Sequence, residues 1–129
     1  MSMTKAMTKT VKPAPEELLP LTPSVFHILL SLAHGERHGY AMMRDVAGNT
    51  GGSLRLGPGT LYYSVQRMLE KGLIEEAAER PAPELDDERR IYYRITDFGR
   101  DVARAEAARL AALVDLARDR DFLRDPRSA

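Results

Sequence analysis

The hydrophobic and polar positions divide the chain into three short helices, a hairpin and one long helix. The first helix is predicted to begin at Thr22 and Pro23, because Thr22 can accept backbone N–H groups as an N-cap and proline suits the first helical position. Its sequence is apolar on most sides, which indicates burial on two fronts. The second helix is predicted over about residues 38–50, and the third from residue 57 to just before Gly72.

Two strand-like segments follow and predict a β-hairpin with a long loop. Residues 89–95 alternate, with Ile91, Tyr93 and Ile95 on one side, as a half-buried strand does. Residues 73–80 form a weaker candidate strand, and the polar residues 81–88 form the tip. Residues 54–56 are expected to pair as a further short strand.

The last helix is predicted from its cap at Thr96 to about residue 120. Its small and apolar residues are spaced by four and three, which is typical of a seam between two helices: Ala103, Ala107, Leu110, Val114 and Ala117. The first helix is also too apolar for the surface of a monomer, so Phe26 and Leu29 are expected to join the same dimer interface.

Composition narrows the class of protein. A chain of 129 residues with 43% apolar residues suits one small domain. No apolar run reaches the roughly 20 residues of a membrane-spanning helix, and no apolar segment follows the N-terminal lysines as in a secretory signal. A cytoplasmic location without membrane association is therefore expected. The absence of cysteine excludes disulfides and thiolate metal sites.

Charge and order suggest how the chain is divided. The 19 basic and 19 acidic side chains cancel, so any basic footprint must be local. We expect a flexible arm over residues 1–20, a winged helix-turn-helix DNA-binding domain over residues 21–95, and a dimerisation helix with its tail over residues 96–125. The fold class is mainly α with a small β component (α+β).

In a helix-turn-helix protein the second helix of the motif enters the major groove, and here it is the third predicted helix. Its start, with Gly59, offers backbone N–H groups and a small surface for a phosphate. One face is predicted to be exposed, to carry donors and two cations, and to lack carboxylates: Thr60, Tyr63, Ser64, Arg67 and Lys71. Arg89 and Arg90 on the hairpin could contact the DNA backbone, although four acidic residues closely precede them: Glu84, Asp86, Asp87 and Glu88.

Five stretches, in this order, resemble the PadR-like family of bacterial transcriptional regulators, specifically its short members with one C-terminal dimer helix. They are Leu21-Thr22-Pro23, His38-Gly39-Tyr40, Pro58-Gly59-Thr60-Leu61-Tyr62, Glu70-Lys71-Gly72-Leu73-Ile74-Glu75 and Tyr92-Tyr93-Arg94-Ile95-Thr96-Asp97-Phe98-Gly99. The chain departs from the family pattern at Gly57, where serine is frequent, and in its acidic wing.

The resemblance implies a winged-helix homodimer that represses transcription from pseudo-palindromic operators, releases DNA on binding a small ligand, and is not an enzyme. It implies that Tyr40, Thr60 and Tyr62 lie near the DNA backbone. It also implies that Tyr63, Ser64 and Arg67 face the groove.

Other functions are less well supported by the residues. The spacing of His34, Glu36 and His38 would suit a metal site, but a structural role at a turn is favoured, and no metal or cofactor is expected. No nucleophile elbow or nucleotide-binding glycine loop indicates an enzyme. A winged-helix protein–protein interaction module that has lost DNA binding is the alternative, because the neutral charge and acidic wing permit it.

Overall fold

A computed structural model describes residues 13–77 and 90–124 of the chain. In that part, a short 3-10 helix (Pro15–Leu18) precedes four α-helices: α1 (Pro23–Ser31), α2 (Gly39–Asn49), α3 (Pro58–Glu70) and α4 (Asp97–Asp119). Three strands form an antiparallel sheet in the order β1-β3-β2: β1 (Arg37–His38), β2 (Ile74–Glu76) and β3 (Tyr92–Ile95). Three helices with the β2–β3 wing make a winged helix-turn-helix, so the predicted fold class is confirmed.

Two helix starts are fixed by the predicted threonine caps. The Thr22 hydroxyl accepts from the Val25 N–H at 3.2 Å, and the Thr96 hydroxyl accepts from the Gly99 N–H at 2.9 Å. Each bond satisfies one of the N–H groups that a helix start leaves without a partner. The start of α3 at Gly57 has no such side-chain cap, as the glycine there implies.

The core gathers one face from each of the four helices and from the wing. Its fully buried apolar side chains include Ile28, Leu32, Met42, Val46, Leu61, Val65, Met68, Ile74 and Val102. Leu29 also belongs to it, with only 1% of its surface exposed. The predicted role of Leu29 in a dimer interface is therefore wrong, because this side chain is buried within its own chain and has no surface left for a partner. Phe26 is partly buried.

The short strand predicted over residues 54–56 is not formed. The Leu54 N–H donates to the Thr50 hydroxyl at 3.0 Å, so the turn after α2 takes the group that a strand would need. The third strand is β1 instead, where Arg37 pairs with Tyr93 and His38 with Tyr92. The weak strand predicted over residues 73–80 is limited to β2 in the described part, and residues 78–89 lie outside it.

Residues 13–20, which fall within the arm predicted over residues 1–20, form a defined segment that packs on the rest of the described structure. Residues Pro15–Leu18 wind into the 3-10 helix, which packs on α4, and Leu18 and Leu19 lie against the core. These two leucines bury apolar surface. The composition of residues 1–20 as a whole is dominated by proline and polar residues, so it does not indicate that the two leucines pack on the core. Residues 1–12 lie outside the described part.

A buried carboxylate ties this segment to α4. Only 2% of Glu106 is exposed, and its carboxylate accepts from Arg109 Nε at 2.6 Å, from Arg109 Nη2 at 3.0 Å and from the Leu21 N–H at 3.2 Å. The Arg109 hydrogen bonds hold the pKa of Glu106 below its usual value against the opposing effect of desolvation, and the Leu21 N–H adds to the lowering. This carboxylate fixes the start of α1 on the middle of α4.

Gly99 brings the first turn of α4 against the wing. A Cβ atom built at Gly99 would overlap the Leu73 carbonyl oxygen, which belongs to the backbone and cannot rotate away. The same carbonyl accepts the Thr96 N–H at 3.1 Å. Glycine is therefore required for the close approach of α4 to the chain entering β2.

We expect Gly99→Ala to lower the free energy of unfolding by roughly 1–3 kcal/mol, as overpacking does. Gly48→Ala is the matched control, because nothing lies within 4 Å of a Cβ built at that position on α2. It should raise stability by about 0.5–1 kcal/mol through helix propensity. Urea unfolding measures both changes, and equal effects of the two variants would contradict the close approach.

Glu106→Gln should lower the free energy of unfolding at neutral pH by roughly 1.5–3 kcal/mol, as loss of a charged hydrogen-bond partner does. Because the pKa of Glu106 is lowered by folding, its contribution is complete above the unfolded pKa near 4.5 and disappears as pH falls through the folded value. The gap between wild type and variant should therefore narrow from pH 6 to pH 3, in unfolding curves taken at each pH.

Asp101→Asn provides the control for this titration. Asp101 also pairs with an arginine three residues on, Arg104 at 3.1 Å, but both side chains are exposed. Its removal should change stability by less than about 1 kcal/mol at any of these pH values.

Candidate nucleic-acid interface

Each turn of α3 has buried residues on its inner side and exposed residues on its outer side, and the exposed residues form the outer face of the helix. Leu61, Val65 and Met68 bury the inner face, which leaves five predicted DNA-contacting residues at the surface: Gly59, Thr60, Tyr62, Tyr63 and Arg67. Tyr62 and Tyr63 keep 55% and 66% of their surface exposed. Adjacent exposed aromatic side chains form a contiguous apolar patch, which is typical of an interaction surface.

Ser64 does not belong to this face. It is 7% exposed and lies on the flank of α3 that packs towards α1, so the prediction that it faces the groove is wrong. The step of about 100° per residue that exposes Tyr63 turns its neighbour inwards.

The charge on the outer face changes along α3. No carboxylate occurs from Gly57 to Leu69, and the Arg67 guanidinium lies 5.8 Å from the centre of the Tyr63 ring. Glu70, the last residue of α3, is exposed, so the predicted absence of carboxylates holds only for the earlier turns. The first turns of α3 are therefore the part best suited to a polyanion.

The start of α3 presents an open surface. Cβ atoms built at Gly57 and Gly59 meet nothing within 4 Å, and no side chain caps this end in the described structure. The first backbone N–H groups of a helix point outwards with the positive end of its dipole. Here they are reached without steric hindrance.

On one side of α3 a polar cleft separates the helix from the wing, and we call it the wing cleft. It measures about 330 Å³ and is lined by His38, Gly39, Tyr40, Tyr62, Arg90, Ile91 and Tyr93. Burial, helped by Glu76 and Tyr62, raises the pKa of Tyr93, so its hydroxyl stays protonated. The cleft thus brings predicted residues of α2, α3 and the wing together.

His38 connects the start of α2 with the wing. Its Nδ1 accepts the Ala41 N–H at 3.2 Å, its Nε2 lies 3.2 Å from Arg90 Nη1, and its ring meets that of Tyr92 edge-on at 5.2 Å. The structural role expected for this histidine is what the structure shows. The described residues contain no group of three metal-ligating side chains.

Arg94, on β3, is paired with two acidic side chains. Its guanidinium lies 2.7 Å from Glu75 and 3.7 Å from Glu36, and the Glu75 hydrogen bond raises the pKa of Arg94 further. Arg94 is therefore paired with one carboxylate on β2 and one just before β1. Arg89 and the four acidic residues of the wing tip lie outside the described residues.

The predicted seam of α4 is divided in two. Its first part packs on the chain's own core, with Ala103 partly buried, whereas Ala107, Leu110 and Val114 are exposed and Ala117 is partly exposed. Leu113 and Leu116 widen the exposed part, with 48% and 45% of their surface exposed. Glu106 interrupts this apolar stripe and was not predicted as a structural residue. Its spacing of three residues from Arg109 is the signal in the sequence that indicates an ion pair there.

A family model described as the transcriptional regulator PadR-like family matches residues 28–105, which is more than half of the chain. The chain belongs to the PadR-like family of transcriptional regulators. The resemblance seen in the sequence is thereby confirmed, and the family's role is regulation of transcription, not catalysis. No curated protein is similar enough to this sequence to match it.

Solved structures show the same fold. A transcriptional regulator from Clostridium thermocellum is 22% identical, with a TM-score of 0.62 over 74% of this chain and 87% of that chain. A PadR family transcription regulator from Clostridium difficile R20291 is 21% identical, with a TM-score of 0.63 over 76% and 97%. RosR from H. salinarum is 24% identical, with a TM-score of 0.57 over 82% of this chain and 99% of that chain.

No helix in residues 13–77 and 90–124 is long and apolar enough to cross a membrane.

Proposed function

We propose that this PadR-like regulator is a homodimeric repressor that binds operator DNA through α3 and the wing and is released by a small ligand. The observation that carries the proposal is the outer face of α3. This face holds two exposed tyrosines, Thr60 and, in the last turn, Arg67. The helix start is uncapped, and no carboxylate precedes Glu70 on α3. A helix of this kind suits the major groove, which has phosphates along both edges.

The residues of α3 divide into two roles in this proposal. Gly59 and Thr60, at the open helix start, hold a phosphate through backbone N–H groups and the hydroxyl. Tyr63 and Arg67, one turn apart, reach the base edges, and Arg67 can donate two bonds to a guanine. Tyr40 and Tyr62, which line the wing cleft, contact the flanking backbone.

Arg90 is the wing's contribution in the described structure. It lies at the entrance to β3 beside His38, on the same cleft as Tyr62, which suits contact with the DNA backbone. These elements support the proposal that residues 21–95 bind DNA. The 96–125 segment is left for dimerisation, in a protein that acts in the cytoplasm.

The dimer rests on the second half of α4. Leu110, Leu113, Val114 and Leu116 are all at least one-third exposed, on a helix that continues past the core that its first half covers. An apolar surface of this kind is an association site in a stable protein. A two-fold dimer would place its two α3 helices about 34 Å or a multiple of it apart, facing successive major grooves of an inverted repeat.

Arg67→Ala should weaken binding to the operator by roughly 1–3 kcal/mol and binding to random DNA much less, because a base contact is lost. Arg90→Ala should weaken both similarly and lower the salt slope by about one unit for each phosphate contact removed. Salt titrations by gel shift, with the protein's own promoter region and a random duplex, measure these differences.

Arg104→Ala is the matched control, because this arginine lies on α4 in an exposed pair with Asp101. It should leave both affinities unchanged. If the wild type binds neither duplex, the interaction-module alternative replaces the proposal. If Arg90→Ala changes nothing, the wing takes no part in binding.

Replacing Leu110 and Val114 together by Asp should give monomers, because two charges would enter the apolar seam. Ala108 and Ala112, which are exposed on the opposite face of α4, replaced together by Asp form the matched control and should stay dimeric. Sedimentation velocity at micromolar concentration measures the state. A monomeric wild type would contradict the dimer.

A further inference from the structure

A second cavity lies on the flank of α3 opposite the wing, and we call it the α1 cavity. It measures about 340 Å³, is open to solvent on one side, and is bordered by the segment before α1, the first turn of α1, the side of α3 that carries Ser64, and Leu73. Cavities of this size accept small ligands. The function proposed above uses two of its lining residues, Tyr63 and Arg67, but assigns no ligand to the cavity.

The floor of the α1 cavity is aliphatic. Leu18, Leu21, Val25, Met68 and Leu73 line it, and the one aromatic residue in the lining, Tyr63, is largely exposed at the surface of α3. Methionine adapts its shape to different contents. A flexible alkyl chain therefore matches this floor better than a flat ring does.

The rim of the α1 cavity carries two cations. Arg67 and Lys71, one turn apart on α3, line it, and no carboxylate does. Neither cation forms an ion pair with any residue in the described part of the chain, so both are available to an anion from outside. The rim therefore has a net positive charge, which favours binding of an anionic ligand.

We propose that the α1 cavity binds a medium-chain aliphatic carboxylate, with its alkyl chain on the aliphatic floor and its carboxylate between Arg67 and Lys71. Carboxylates pair well with guanidinium and ammonium groups, and the alkyl chain gains by leaving water. The ligand site itself does not depend on the function proposed above, but its effect on DNA binding does. Because Arg67 is also the proposed base contact, carboxylate and DNA compete directly for one guanidinium.

The first test is calorimetric titration of the full-length protein with butanoate, hexanoate and octanoate, and with 1-octanol as the uncharged counterpart. Each added methylene should tighten binding about fourfold, so octanoate should bind roughly 200-fold tighter than butanoate. Octanol should bind at least tenfold more weakly than octanoate. Equal binding of all three acids, equal binding of octanol, or no octanoate binding overturns the proposal.

Two variants test the two parts of the cavity separately. Val25→Phe fills the floor without altering a charge and should abolish octanoate binding, while its control Leu30→Phe, at an exposed position on α1 outside the cavity, should not. Lys71→Gln should weaken octanoate at least fivefold and leave octanol unchanged. Thermal unfolding establishes that each variant is folded, and if Val25→Phe is not, Lys71→Gln decides alone.

Competition with DNA is measured separately. The apparent Kd of wild type for its promoter duplex should rise in proportion to free octanoate, and Val25→Phe should bind the duplex normally but ignore octanoate. Octanoate binding without any effect on DNA overturns the competition. The calorimetric titration contains no DNA, so it tests the ligand site alone. DNA binding without octanoate tests the repressor proposal alone, and the two failures can therefore be distinguished.

Discussion

The structure depends on one buried carboxylate. Glu106 lies in an apolar stripe of α4, where an unpaired charge would be strongly unfavourable, so it must keep the bonds from Arg109 and the Leu21 N–H. The second of these bonds fixes the chain just before α1. It therefore holds the entry to α1 against α4, beside the core that packs α1 on α3. Leu21 also forms part of the α1 cavity, so the same bond helps to shape that cavity.

The helix α3 lies between two clefts of different chemistry. The wing cleft is aromatic and polar, and it joins α2, α3 and the wing through His38 and Arg90. The α1 cavity is aliphatic with a cationic rim. Arg67 lies on the flank next to the α1 cavity, and its side chain also reaches the outer face beside Tyr63. A ligand that pairs with Arg67 in the α1 cavity would therefore remove this guanidinium from the surface proposed to bind DNA, and no change of fold is needed.

Local features of the sequence were sufficient for much of the architecture. Thr22 and Thr96 were predicted as caps because a threonine before a helical run offers its hydroxyl to the nearest N–H groups, and the structure has both bonds. The inner face of α3 followed from helical periodicity through Leu61, Val65 and Met68. Errors arose where a residue's neighbours come from elsewhere in the chain. Leu29 was assigned to a partner because apolarity does not say which surface covers it.

The sequence by itself determined the element types, the family and the carboxylate-free first turns of α3, because these depend on residues within one or two turns of each other. Only the tertiary structure decided that Glu106 bonds to Leu21, that His38 touches Arg90, and that Gly99 meets the Leu73 carbonyl. Those contacts join residues that are 85, 52 and about 26 positions apart. No periodicity encodes such pairs, since they form only after packing has brought distant segments within hydrogen-bond or van der Waals distance.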